Sequence, residues 1–128
     1  MTAPTEGERY TVERTFTPAE VRQFADLSGD TQPQHTDPDD EGRLMVHGLL
    51  TATLPTQVGG DLEVLASEMD LHFTRPVYTG ESVACTWTNE RVEEREDRYA
   101  LTADVHCEND AGETVLTGTV EGLVWKPE

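Results

Sequence analysis

Asp30 and His35 stand five residues apart in the stretch Leu27-Ser-Gly-Asp-Thr-Gln-Pro-Gln-His35, with Pro33 stiffening the chain between them. A carboxylate supplies a proton acceptor and an imidazole a group that titrates near neutrality. On one loop the two can converge on a small molecule such as water and move a pair of protons. A second piece follows at Met45-Val-His47-Gly48-Leu-Leu. A glycine that opens a helix presents an N–H with no partner inside that helix, at the positive end of its dipole, where it can polarise a carbonyl oxygen. The plainer alternatives are a loop Asp and His that merely face solvent, and a Gly48 that serves only close packing.

The elements that must position these groups can be read from spacing. Arg9–Thr15 alternates weakly and is expected to be a strand. Thr17-Pro18-Ala19-Glu20 is a helix start, with Thr17 as cap, Pro18 in the first turn and Glu20 completing a capping box. Val21, Phe24, Ala25 and Leu27 or Ser28 follow at helical spacing until Gly29, so Asp30 emerges just past a helix C-terminus. Asp30–Val46 reads as an ordered loop. Gly48–Val58 carries no charge over eleven residues, which predicts a helix buried on all sides, closed by Gly59-Gly60 and kinked or shortened by Pro55. Beyond Asp61 the period becomes two. Met69, Leu71 and Phe73, then Val83, Cys85 and Trp87, then Leu101, Ala103, Val105 and Cys107 share faces, and Thr114–Trp125 is the last strand. Turns are expected at Tyr78–Gly80, Glu94–Asp97 and Asn109–Gly112. One apolar helix and a sheet with one apolar face solve each other's burial problem. The expected architecture is an α+β hot-dog fold, an antiparallel sheet wrapped around a central apolar helix, with residues 1–128 as one domain.

The 128 residues include 9 Lys or Arg against 26 Asp or Glu, a net charge of −17. Such a surface opposes nucleic acid and anionic lipid alike, since both depend on basic contacts. No apolar run approaches the roughly 18 residues of a membrane span, and Met1–Tyr10 lacks the pattern of a secretory signal. A cytoplasmic chain, with no nucleic-acid or membrane partner, is expected. Lys126 is the single lysine beside eight arginines. Dispersed acid with so little lysine is the surface expected of a protein in concentrated salt, where screening shortens the Debye length to about 3 Å at 1 M. Cys85 and Cys107 have neither CxxC spacing nor a His at metal-ligand spacing and are expected to be small buried hydrophobes; no metal site is expected. His72 and His106 fall on polar strand faces, and Trp87 and Trp125 read as packing or dimer-contact residues.

Three motifs occur in order: Leu27-Ser-Gly-Asp-x-x-Pro-x-His35, Val46-His-Gly-Leu-Leu50, and Phe73-x-x-Pro76-Val77-x-x-Gly80-Glu81. Together they resemble the MaoC-like, (R)-specific enoyl-CoA hydratases, from about Phe16 to Glu81 and with compatible strands afterwards. The resemblance implies that Asp30 and His35 are the catalytic pair, holding water for syn addition to a trans-2-enoyl thioester. It implies that Gly48 polarises the thioester carbonyl, that coenzyme A enters as part of the substrate with no separate cofactor, and that the chain forms a homodimer. Gln32 stands where the family usually has Asn, the loop from His35 to His47 is shorter, Pro55 lies within the central helix, and Glu81 replaces an Asp. Gln32 and His47 are candidate substrate-binding residues, His47 with a structural role at the start of the helix as its alternative. Arg43 and Arg75 are candidates to meet the coenzyme A phosphates. A hot-dog thioesterase commonly carries a carboxylate on its central helix, and Gly48–Val58 has none. The remaining alternative is a weakly active acyl-CoA-binding subunit.

Overall fold

The computed structural model describes residues 3–128. Strand β1 (Arg9–Thr15) leads into α1 (Pro18–Ser28), followed by α2 (Pro33–Thr36), β2 (Met45–Val46), α3 (Gly48–Thr51) and α4 (Thr53–Asp61). The rest is strand: β3 (Leu65–Phe73), β4 (Val77–Tyr78), β5 (Ser82–Glu94), β6 (Arg98–Asn109) and β7 (Thr114–Trp125). Five strands form an antiparallel sheet in the order β1-β5-β6-β7-β3, and β2 pairs with β4 in a separate ribbon.

Helix α1 begins and ends as its residue types dictate. The Thr17 hydroxyl accepts the Glu20 N–H at 3.2 Å while the Glu20 carboxylate accepts the Thr17 N–H at 2.9 Å. Gly29 adopts the left-handed conformation, φ 79°, and its N–H closes on the Ala25 carbonyl. Just past that stop, the Asp30 carbonyl meets His47, the residue that precedes the central helix.

Strands β5 and β6 bury the alternating set Val83, Cys85 and Trp87 against Leu101, Ala103, Val105 and Cys107. Leu50, Leu54 and Val58 of α3–α4 complete this core, so the sheet wraps the helix in the expected hot-dog manner. The buried Trp87 indole N–H donates to the Asn89 side-chain oxygen at 2.8 Å, which satisfies that donor inside the apolar layer.

The interruption expected of Pro55 is present, and four other expectations need correction. The central helix is split at Ala52, because Pro55 has no N–H to offer and its ring crowds the carbonyl four residues earlier, at Thr51. Gly59 and Gly60 remain helical instead of closing the helix; a Cβ at Gly59 would meet the Trp87 ring at an ordinary contact distance, and one at Gly60 would meet nothing. The helix stops after Asp61, where Glu63 takes φ 61°. The helix is also not buried all round, since Leu49 is 64% exposed. On β3 the alternation of Met69, Leu71 and Phe73 yields little burial. Only Leu71 is half-buried, because β3 is an edge strand with β7 on one side alone. The loop after Asp30 is more regular than expected, containing both α2 and β2.

Candidate functional site

Asp30 leaves α1 held at three points. Its N–H donates to the Ser28 hydroxyl at 3.1 Å, and its carbonyl accepts from His47 Nε2 at 3.0 Å. Carboxylate oxygen Oδ1 accepts from the Gln32 side-chain amide at 2.9 Å. That amide bond is the main reason the Asp30 carboxyl sits below the usual carboxylate range. The remaining oxygen, Oδ2, faces His35 Nε2 at 3.6 Å.

His35 is buried in α2, which opens with Gln32 as its cap and Pro33 in its first turn. Its Nδ1 lies 2.7 Å from the Met45 carbonyl oxygen, which can only accept, so Nδ1 carries hydrogen and the neutral ring keeps its lone pair on Nε2. His47 has the opposite arrangement, with hydrogen on Nε2 facing the Asp30 carbonyl and a buried Nδ1 that has no partner. The two imidazoles stack, centroids 3.7 Å apart and planes 15° from parallel, and Phe24 meets His47 edge-on.

Gly48 follows His47 directly as the first residue of α3. Its reason for being glycine is visible: a Cβ there would lie 2.9 Å from the Phe73 ring. A cavity of about 300 Å³ opens beside His35 and Gly48, lined further by Met45, Thr51, Phe73, Arg75, Pro76 and Val115. Arg75 reaches this cavity while pairing with Glu113 at 3.2 Å. Arg43 lies apart from the cavity lining. Asp39 and Glu41 neutralise it at 3.0 and 3.7 Å, and its guanidinium covers the Tyr78 ring. The structure thus brings together Asp30, Gln32, His35, His47 and Gly48, with Arg75 at the rim.

With the His35 ring neutral, the carboxylate oxygen and the ring nitrogen, 3.6 Å apart, have no hydrogen to share between them, and one water can donate to both. Such a pair can take a proton from that water and return one nearby. Asp30, His35 and His47 also offer potential metal ligands within 4.8 Å of one another. Stacked rings, however, run their in-plane lone pairs side by side rather than toward one point, which suits proton transfer better than chelation. Sequence reasoning missed the Met45 carbonyl and the Phe73 ring. A backbone oxygen carries no residue signal, whereas Phe73 was visible as the first residue of the third motif.

Residues 1–110 match the family model described as MaoC like domain. The mitochondrial 3-hydroxyacyl-(acyl-carrier-protein) dehydratase of Arabidopsis thaliana is 26% identical over 111 residues, 80% of this chain. The match spans 66% of that protein, just under two thirds of its length. Among solved structures, an (R)-hydratase from A. caviae involved in PHA biosynthesis superposes with TM-score 0.84 at 25% identity, covering 98% of this chain and all of the other. An unliganded (R)-hydratase from Pseudomonas aeruginosa gives 0.83 at 21% identity, covering 98% of this chain and 84% of the other.

Proposed function

The chain belongs to the MaoC-like domain family, one of dehydratases and hydratases, and from that premise we propose that it is an (R)-specific enoyl-CoA hydratase, working in reverse as a dehydratase. The observation that carries this reading is the pairing of Asp30 Oδ2 with His35 Nε2 beside Gly48, with the other polar atom of each side chain already engaged. A water between them gives up a proton to the pair as its oxygen attacks C3 of a trans-2-enoyl thioester. The thioester carbonyl takes up negative charge and is met by the Gly48 N–H, and a proton returns to C2 from the same face. The product is an (R)-3-hydroxyacyl thioester. Loss of one such carbonyl donor costs enzymes roughly 3–4 kcal/mol.

Coenzyme A is favoured over a carrier protein as the thioester carrier, because carrier proteins are acidic and this chain bears −17. Arg75 is the cation at the cavity rim that can leave Glu113 for a phosphate. The unpaired outer edge of β3, with Leu65, Met69 and Phe73 exposed along it, supports a homodimer formed across that strand. A thioesterase is disfavoured, since Gly48–Val58 has no carboxylate.

The test is hydration of crotonyl-CoA in molar KCl, followed as loss of enoyl absorbance, with product chirality and free thiol measured together. Turnover to the (R)-alcohol is expected. Thiol release without hydration would replace the reading with a thioesterase, and binding without either would leave an acyl-CoA-binding subunit.

A further inference from the structure

We propose that His47 is the positioning residue that sets the three reacting groups in register, an inference that rests on the hydration reading above. Asp30, His35 and Gly48 come from the end of α1, from α2 and from the start of α3, and these elements share no regular hydrogen-bond ladder. His47 touches all three groups. Its Nε2–H donates to the Asp30 carbonyl at 3.0 Å, its ring is the surface on which His35 stacks at 3.7 Å, and its own peptide bond carries the Gly48 N–H.

The chemistry of the ring fits this role better than contact with substrate. His47 is 4% exposed, and its one free polar atom, Nδ1, is buried without a partner. A buried bare nitrogen costs free energy. That cost is offset by placing the hydrogen on the opposite nitrogen, where it holds Asp30. An apolar ring would stack but leave the Asp30 carbonyl without its donor. An amide would donate but not stack. Histidine does both.

Two measurements decide the matter. Nitrogen-15 spectra of the histidine-labelled wild-type protein read tautomers directly. They should show hydrogen on Nδ1 of His35 and on Nε2 of His47. Hydrogen on Nδ1 of His47 overturns the proposal, whatever the chain does or does not turn over. Kinetics supply the second test. His47→Ala should lower kcat by about 100-fold, the scale of a misplacement near 1 Å, with KM changed by less than about threefold. His47→Gln, whose amide nitrogen reaches about as far as Nε2, should recover at least tenfold of that loss. An unchanged kcat in His47→Ala, or a loss confined to KM, would assign the ring to packing or substrate binding instead. Should the wild type hydrate no enoyl-CoA, the hydration reading falls on its own, and the tautomers alone uphold or overturn the tie to Asp30.

Discussion

The β5–β6 pairing and the cluster around His47 are both tightly ordered, and they are ordered by different means. Across β5 and β6 the same relation repeats at every second residue: Cys85 opposite Cys107, Trp87 opposite Val105, each pair buried against the central helix. Any one contact is supported by its neighbours. Around His47 each relation occurs once: Met45 carbonyl to His35, Asp30 carbonyl to His47, Gln32 amide to Asp30. Nothing repeats, so no neighbour can make good a loss. The ladder holds stability in excess, while the cluster holds geometry that stability does not protect.

Substitutions should therefore separate the two regions. The largest effect is expected in the cluster, where Asp30→Asn and His35→Ala each lower kcat by about 10²- to 10⁴-fold. Asp30→Asn should melt close to wild type, because its side chain is partly exposed and keeps its size, whereas His35→Ala, which empties a buried stacked position, should also lose some stability while the sheet stays folded. A matching collapse in melting temperature would erase the distinction. In the ladder, Trp87→Ala should cost about 3–5 kcal/mol in urea denaturation, a cavity and a lost indole combined. The folded fraction should keep its kcat.

At Gly48 packing and chemistry meet. Gly48→Ala keeps the N–H but drives a methyl into the Phe73 ring, an overpacking worth about 1–3 kcal/mol. Adding Phe73→Ala should restore activity to the level of Phe73→Ala alone. Gly48→Pro in the same background removes the N–H, and His47 already has the extended backbone that a following proline requires. That variant should remain inactive. Equal activity of the Ala and Pro forms would reduce Gly48 to a packing residue.

The smallest effect concerns pH. The Gln32 amide holds the Asp30 carboxyl below its ordinary range, so the carboxylate persists to lower pH than it would alone. In Gln32→Ala that support is gone, the carboxyl rises, and the acid limb of kcat/KM should move to higher pH. Gln32→Asn, with the shorter amide, should fall between. An acid limb that stays put in both variants would show that Gln32 does not govern Asp30.

The same contrast explains what could be read in advance. Strands β5 to β7 were legible because a period of two records a repeating environment, and α1 because Thr17, Glu20 and Gly29 act within a few residues of themselves. The motif around Asp30 and His35 marked the cluster, but not its construction. The tautomer of His35 depends on a carbonyl ten residues away, and the stacking of His47 on where two elements meet. Alternation on β3 told which residues share a face, not whether anything covers it. Arg43 illustrates competition: in an acid-rich loop a guanidinium finds Asp39 and Glu41 before it finds a cavity.

In the proposed hydration one water, held by Asp30 and His35, supplies the hydroxyl at C3 and, through that pair, the proton at C2, both on a single face of the substrate. Hydration of crotonyl-CoA in D₂O tests it most directly, with the configuration at C2 and C3 of the product read by NMR. Deuterium at C2 and the hydroxyl at C3 are expected to add from the same face, with the (R) configuration at C3. Anti addition, or deuterium scrambled between the two C2 positions, would contradict it.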